Sequence, residues 1–425
     1  MLPLRLQGRR GRLQLRGTLG ALIAFAPMST DLYLPAFPQI AGSLGVDSGS
    51  LQITPAASFL GLGLGQLLYG PMSDRFGRKR PLIAGLVLFI AASVGCALAS
   101  TLAMLTGMRL LQALGGCAGL VIARAVARDC YSGLPMARTM SILTMVSALA
   151  PLLAPTLGAA IISIAKWPWM FVVLALFGVI CLVGVCLLPE TLSPARRSGA
   201  GVGVAVRGYS SILRSKAFLV PTAIAALGSM TLFTYISSSP AVLMGSYGLS
   251  PAQFALTFGG ISLAIVIGSQ LNILLLPHSS VRVLLLGYLS CQVLSTLTLV
   301  ALTLMAAPVQ FVIASLAVTV ACFAGTAANA ITEALRPFPH LAGSASAVIG
   351  VLQFGCGALV AASLSHVNGS PAVVMSVTMA IASGVAICLA LVRQSTPHEQ
   401  DSDAGRADHD HQHPREGTQV ARIDH

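Results

Sequence analysis

The chain has 425 residues, of which 55% are hydrophobic and only 9% charged, where soluble proteins carry roughly 25% charged residues. A mean hydropathy of +0.84 leaves too little polar surface to clothe a water-soluble globule of this length, so the composition points to a polytopic membrane protein. The net charge of +12 is no nucleic-acid footprint: from Gln394 onward there are three basic and seven acidic residues, and the excess base of the remainder gathers at the ends of apolar stretches.

A helix needs about 20 apolar residues to cross a hydrocarbon core of ~30 Å. Twelve stretches are long enough, near 17–40, 52–72, 81–100, 102–127, 139–163, 168–189, 218–244, 252–276, 281–303, 308–334, 341–364 and 371–393. Arg5, Arg9, Arg10, Arg12 and Arg16 precede the first and resemble the head of a signal peptide. Asp31 within that stretch, and the further spans behind it, favour a retained first helix. Basic residues then alternate. The N-tail, the 73–80 loop, the turn with Arg124, Arg128 and Arg138, the linker, the turns with Arg282 and Arg336, and the exit at Arg393 are basic, whereas the intervening turns hold only Lys166. By the positive-inside rule both termini are cytoplasmic. Nine scattered cysteines without a C-x-x-C pair read as small apolar residues of the membrane-spanning helices.

Within the first stretch, Pro27, Met28, Asp31 and Pro35 share a face by i−4, i−3 and i+4 spacing. The second ends at Gly70-Pro71 and leads into a compact loop with Asp74, Arg75, Gly77, Arg78, Lys79 and Arg80. Gly65 and Gly70 have the spacing of a phosphate loop, but Pro71-Met72 stands where Lys-Ser/Thr is required, so no ATP site is expected. As a latch, the loop would use Asp74 to accept N–H groups at the start of the third helix and Gly77 to make the turn. Arg75 and Arg78 would reach acids or helix C-termini.

The fourth stretch carries Arg109 on a face with Thr106, Gln112 and Gly116. At ~1.5 Å per residue, Asp31 and Arg109 fall at about the same depth, roughly 20 Å from the inner face. An Asp or Arg at a helix centre costs about 2.5–3.5 kcal/mol on insertion scales, which makes these two the first functional candidates. A carboxyl's affinity for its proton depends on burial and on nearby cations, so moving Arg109 relative to Asp31 can load or release a proton. The alternative is a fixed ion pair that holds two helices together.

In the fifth stretch, Pro151 and Pro155 lie four apart with Gly158 following, which predicts a kinked helix whose freed carbonyls face protein or a cavity. Residues 190–217 form a polar linker that divides the spans six and six. A faint duplication supports the division: the turn from Ser43 to Gly49 resembles that from Ser246 to Ala252 at an offset of 203 residues. Thr231, Tyr235, Ser238 and Ser239 in the seventh stretch, Asn329 in the tenth, and Gln353 and Phe354 in the eleventh could line a mixed pocket or serve as helix–helix glue. Glu333 reads as a local surface pair with Arg336. The His- and Asp-rich residues 394–425 read as disordered and solvated, with His409, His411 and His413 a remote metal possibility.

These motifs together resemble one family. GPMSDRFGRKRP is similar to the loop signature between helices 2 and 3 of the major facilitator superfamily, RLLQALGG to its helix-4 signature, and SALAPLLAPTLGA to its helix-5 antiporter signature. TDLYLPAFP, ARAVARD and PFPHLAGSASAVIGVLQFG narrow the resemblance to the bicyclomycin-resistance (Bcr/CflA) branch of proton-coupled drug exporters, over roughly Thr18 to Leu391. The resemblance implies an all-α fold of twelve membrane helices in two pseudo-repeated halves. The parts are a cytoplasmic tail (1–17), a first half (18–189), the cytoplasmic linker (190–217), a second half (218–393) and the tail (394–425). It casts Asp31 and Arg109 as the proton-coupling pair, with Gly70, Asp74, Arg75, Gly77 and Arg78 as the inner-gate latch. Pro151, Pro155 and Gly158 become the antiporter hinge. Read from the residues themselves, Met28, Asp31, Gln112, Tyr235, Asn329, Gln353 and Phe354 are the candidate substrate contacts. Two departures stand out. The loop between helices 8 and 9 (PHSSVR) lacks the acid and most of the base of a second latch, and Ala150 and Ala154 stand where many antiporters have glycine.

The function so implied is export of bicyclomycin-, phenicol- or sulfonamide-type molecules across the bacterial inner membrane in exchange for protons. Each charge crossing 100 mV would supply about 2.3 kcal/mol. No cofactor, metal, ATP or nucleic acid is implied, and the unit is a monomer. Uptake symport of a metabolite on the same fold is the main alternative. A membrane-embedded enzyme or sensor finds no G-x-S-x-G, H-E-x-x-H or Walker motif to support it.

Overall fold

The computed structural model describes residues 8–47, 49–194, 197, 212–338, 342–367 and 369–395. Among these, twelve helical segments are long and apolar enough to cross a membrane: α1 (Leu13–Leu44), α2 (Ser50–Phe76), α3 (Lys79–Ala97), α4 (Leu102–Cys130), α5 (Gly133–Ile164), α6 (Pro168–Leu187), α7 (Lys216–Ser246), α8 (Pro251–His278), α9 (Val281–Leu304), α10 (Val309–Leu335), α11 (Gly343–Leu364) and α12 (Pro371–Arg393). The end of the bundle that carries the α2–α3 turn is called the basic end below, and the opposite one the bare end. The His-rich tail and most of the linker lie outside the described residues.

The expected helix at 17–40 is not continuous. Helix runs over Arg9–Asp31, breaks, makes a 3₁₀ turn at Leu34–Ala36 and resumes over Phe37–Leu44. Pro35 and Pro38 explain the break, since neither has an N–H to give to the preceding turn. Asp31 is therefore the last residue of a helix. The pseudo-equivalent helix in α7 is also irregular, turning from α-helix at Lys216–Ser239 to a π-helical turn at Pro240–Ser246. Thr101, Ser250 and Ser280 cap the starts of α4, α8 and α9 through their side chains, whereas Ser132 and Ser215 stand before α5 and α7 without doing so. Ser250 and Gln253 form a reciprocal capping box on α8, with Ser250 Oγ accepting from the Gln253 N–H (3.3 Å) and Gln253 Oε1 from the Ser250 N–H (2.9 Å).

Lipid offers no hydrophobic drive between helices, so small residues and close packing hold them together. In the first six spans, Gly61 and Gly65 of α2 back onto the Leu110 carbonyl and Cys117 of α4, and Gly85 of α3 backs onto Ala118 of α4. The outward faces are apolar, as at Leu149, Leu153 and Leu157 on α5 and Val173, Leu176 and Ile180 on α6.

Two seams join the first six spans to the last six, α2 against α11 and α5 against α8. Phe59 of α2, Phe233 of α7 and Phe354 of α11 pack as tilted rings across the first, with ring centres 4.4 and 5.3 Å apart. Leu152 of α5 packs on Gly259 of α8 in the second. At the bare end the 3₁₀ turn of α1 touches α5 and α8, and Phe37–Leu44 touches the π-helical turn of α7. Gln39 and Ser43 tie this region to α6, accepting from the main-chain N–H and the indole N–H of Trp167, each at 2.8 Å.

Candidate functional site

Asp31 and Arg109 are 2% and 0% exposed. They interact electrostatically, yet no ion pair joins them among the described residues. Arg109 points instead into the first half. One of its terminal nitrogens donates to Gln112 Oε1, and Gln112 Nε2 donates to Ser93 Oγ at 2.8 Å. The guanidinium lies over the Tyr33 ring at 4.2 Å and beside Phe171 at 5.8 Å. Tyr33 is itself fixed by a 3.0 Å bond between its hydroxyl and Thr54 Oγ1. Arg109 Nε, its second terminal nitrogen and Asp31 Oδ1 are buried without a hydrogen-bond partner. The fixed ion pair weighed from sequence is therefore not present in this conformation. A carboxyl and a guanidinium with matching unused groups lie within electrostatic reach of one another.

Tyr235 approaches Asp31 from α7. It is 1% exposed, stacks on Phe258 at 5.2 Å, interacts electrostatically with Asp31, and its hydroxyl is buried without a partner. The other candidate contacts fall elsewhere. Asn329 is buried and donates to Asn272 Oδ1 at 2.7 Å, joining α10 to α8. Gln353 donates to Ser229 Oγ at 2.8 Å, joining α11 to α7. Both amides act as helix–helix glue. Phe354 packs in the α2–α11 seam, and Met28 lines a crevice between α1, α5 and α6. The hydroxyls of Thr231 and Ser239 donate to carbonyls of their own helix.

Helix α5 runs unbroken from Gly133 to Ile164 through Pro151 and Pro155. Pro155 is buried and Pro151 half-buried. Gly158 lies where any Cβ would meet the main-chain carbonyl of Leu32, so α5 touches the break in α1 beside Asp31.

The α2–α3 turn differs from expectation in two respects. Helix α2 does not stop at Gly70-Pro71 but continues to Phe76, which places Asp74 and Arg75 on its last turns. Gly77, at φ 86°, then makes the turn. Nor is Asp74 the cap of the third helix. That role belongs to Glu190, beyond the end of α6, whose carboxylate accepts the N–H groups of Arg78 (2.9 Å) and Lys79 (3.1 Å). An anion here suits the positive end of the helix dipole. Burial pushes the Glu190 carboxyl up, but bonds from Leu192, Arg78, Lys79 and Thr191 outweigh it and hold its pKa below the ordinary value. Lys79 Nζ completes the junction by donating to the carbonyls of Cys186 and Leu188.

Arg78 is the hub of this turn. It donates to Asp129 at the end of α4 (2.8 Å), to Asp74 (2.5 Å) and to Ser73 Oγ (2.9 Å). Burial works against its charge, and Asp129 and Asp74 outweigh that, so its pKa is raised. Arg75 instead stacks on its neighbour Phe76 at 5.2 Å, and Gly70 has open space around it. These bonds tie α2, α3, α4 and α6 together.

The second half has a counterpart that PHSSVR does not advertise. Glu333 is not a surface partner of Arg336. It is 6% exposed, with Arg393 at 3.1 Å and Arg282 at 3.8 Å. Arg282 lies 204 residues after Arg78, Glu333 lies 204 after Asp129, and Arg393 lies 203 after Glu190. The two ends thus share one layout with part of the charge inverted, a basic hub in the first half and an acidic hub in the second. Sequence reasoning does not single out Asp129 or Glu190. The available signal is scarcity: only Asp31, Asp47, Asp74, Asp129, Glu190 and Glu333 are acidic before Gln394. Four of these six belong to the two networks.

A twelve-span bundle in two halves of six, with ionisable groups buried near the level where they meet, defines a polytopic small-molecule transporter. The Major Facilitator Superfamily model matches residues 19–362, and the chain belongs to that family. It is 32% identical over 375 residues to the uncharacterized MFS-type transporter YdgK of Bacillus subtilis, covering 87% of this chain and 92% of the relative. It is 29% identical to the bicyclomycin resistance protein homolog of Haemophilus influenzae (85% and 91% covered). Identity to a chloramphenicol resistance protein of Pseudomonas aeruginosa is 30% (87% and 89% covered). Among solved structures, a D-xylose-proton symporter superposes with a TM-score of 0.68 at 17% identity, over 89% of this chain and 97% of that one; at that identity it shows the fold alone.

Proposed function

We propose that the chain exports drug-like small molecules across the bacterial inner membrane in exchange for protons, with the basic end and both termini cytoplasmic. The observation that carries this reading is Asp31, a carboxyl 2% exposed at a helix break, unpaired on Oδ1 and within electrostatic reach of Arg109. A buried carboxyl that is bonded to a cation in one conformation and not in another changes its proton affinity between them, which is what exchange requires. The resistance proteins among its relatives support small drugs as cargo.

In this cycle Asp31 takes a proton when the site faces outward and cargo leaves. It releases the proton inward as cargo enters, with Arg109 moving from Gln112 toward the carboxylate. The Arg78 and Glu333 networks stiffen the basic end of each half, so that opening occurs between the halves by rigid-body rocking. Energy comes from the proton gradient, without a cofactor.

The test is ΔpH-driven chloramphenicol uptake into everted membrane vesicles. Asp31→Asn should abolish gradient-driven transport while the protein remains inserted. Undiminished transport by that variant sinks the proton-site assignment, and transport in the opposite direction sinks export.

A further inference from the structure

Arg109 is wholly buried, yet its guanidinium uses little of its hydrogen-bonding capacity. Nε and one terminal nitrogen have no hydrogen-bond partner, and the other terminal nitrogen donates to Gln112. What faces the cation instead is aromatic. The Tyr33 ring centre lies 4.2 Å from the guanidinium carbon, and that of Phe171 5.8 Å away. A ring face attracts a cation through its quadrupole, most strongly where water is excluded.

Tyr33 is built in from three sides. A hydroxyl has one hydrogen to give, and Thr54 Oγ1 gives its own to the Leu51 carbonyl at 2.8 Å. The 3.0 Å bond between the two hydroxyls therefore has Tyr33 as donor. The ring also packs on Phe37 and Phe171, with centres 5.3 and 6.0 Å away. It is thus held from α2, from the resumed helix of α1 and from α6. Tyr33 itself lies in the break of α1, two residues after Asp31. Leu32, between them, is the residue whose carbonyl touches Gly158 of α5. One short segment offers Arg109 two alternative places, a carboxylate and a ring face.

We propose that Tyr33 is a positioning residue of the proton site, whose ring holds Arg109 away from Asp31 while the carboxyl carries its proton. The proposal rests on the proton-site reading above and adds what makes that site reversible. A protonated carboxyl no longer draws the guanidinium as a charge, and a buried cation without a partner is costly. The ring is a neutral partner for that state. Once Asp31 ionises, attraction between opposite charges outcompetes the ring. Among the described residues, the other titratable groups facing this site are Tyr235 of α7, within electrostatic reach of Asp31, and Cys96 of α3, within reach of Arg109 and Tyr33. Both types are ordinarily uncharged near neutral pH, so neither competes with Asp31 for the cation as a charge.

Infrared titration of the purified full-length chain tests this, following the carbonyl band of the protonated Asp31 carboxyl, identified by its loss in Asp31→Asn. The readout does not depend on transport. Tyr33→Phe keeps the ring face and should leave the midpoint unchanged. Tyr33→Leu removes the face, Arg109 turns to the carboxylate, and the midpoint should fall by about one pH unit, the scale of a desolvated cation–π contact. Pentafluorophenylalanine at position 33 keeps the ring's shape and reverses its quadrupole. It should lower the midpoint as Tyr33→Leu does, and it remains informative if Tyr33→Leu fails to fold. A wild-type midpoint with the fluorinated ring overturns the proposal and leaves the proton site standing. Equal falls in Tyr33→Phe and Tyr33→Leu also overturn it, because the bond to Thr54 would then be the determinant. An Asp31 band that does not titrate between about pH 4 and 9 overturns the proton-site reading, and this proposal with it.

Discussion

Gly158 of α5 lies against the main-chain carbonyl of Leu32, the residue that follows Asp31; a Cβ on Gly158 would overlap that oxygen and lie 3.4 Å from Pro35 Cγ. The same helix presses Leu152 onto Gly259 of α8. Movement between the halves at the α5–α8 seam therefore has a direct mechanical route to the backbone beside Asp31.

Gly158→Ala should open the α1–α5 contact, because a backbone oxygen cannot rotate away as a side chain can. Overpacking of this kind costs about 1–3 kcal/mol. The expected outcome is a lower thermal midpoint and export reduced at least roughly tenfold at unchanged membrane insertion. Gly70→Ala is the contrast. Nothing lies within 4 Å of its Cβ position, and alanine is the better helix former by about 1 kcal/mol. Export and stability of Gly70→Ala should equal or exceed wild type in the same vesicle and melting assays. A severe loss there would assign Gly70 a role that its surroundings do not provide.

Arg78 and Asp129 are each only 11% exposed at the side chain and bond at 2.8 Å. Breaking such a pair by removing one partner leaves the other charge buried alone, at about 3–5 kcal/mol for fully buried pairs, and less here because Asp74 is exposed and remains nearby. Arg78→Ala and Asp129→Ala should each destabilise by about 2–3 kcal/mol, and the double variant by much less than their sum. A thermal-melting double-mutant cycle checks this. Additive losses would mean that the two residues act independently.

How much of this was legible in the sequence follows from the range of each interaction. The spans, their number and the basic ends come from composition over about 20 residues; the same hydropathy reads 17–40 as one helix and passes over the break after Asp31, although Pro35 and Pro38 mark it locally. Asp129 and Glu190 lie 51 and 112 residues from Arg78, and no local pattern announces such pairs. Asp74 was a reasonable cap because it precedes the third helix, yet α2 runs on through Pro71 and carries it away from that position. Asn329 and Gln353 show the opposite limit. Their polarity within apolar stretches marked them as pocket or glue, but only the neighbouring helices reveal that Asn272 and Ser229 occupy their amides.

Glu190 gives the basic end a pH dependence of definite sign. Its pKa is lower folded than the ordinary 4.5, so its contribution is complete above the unfolded value and lost as pH falls through the lower, folded one. Glu190→Gln should cost about 1 kcal/mol near neutral pH, the scale of a helix-cap loss. The deficit should close on acidification below the usual carboxylate range. Melting curves of both proteins from pH 7 to about 3 measure this. A deficit independent of pH would indicate that charge on Glu190 is immaterial.

Tyr235 separates stability from transport most cleanly. Its ring is held by Phe258, but its hydroxyl is buried, unbonded and within electrostatic reach of Asp31. A buried hydroxyl without a protein partner costs about 1–3 kcal/mol. Tyr235→Phe removes that cost and keeps the stacking, so the thermal midpoint should stay level or rise. If the hydroxyl bonds to Asp31 or to cargo elsewhere in the cycle, export should fall several-fold, chiefly through a raised KM for chloramphenicol. A lowered midpoint with unchanged export would reverse the assignment and make Tyr235 a structural donor.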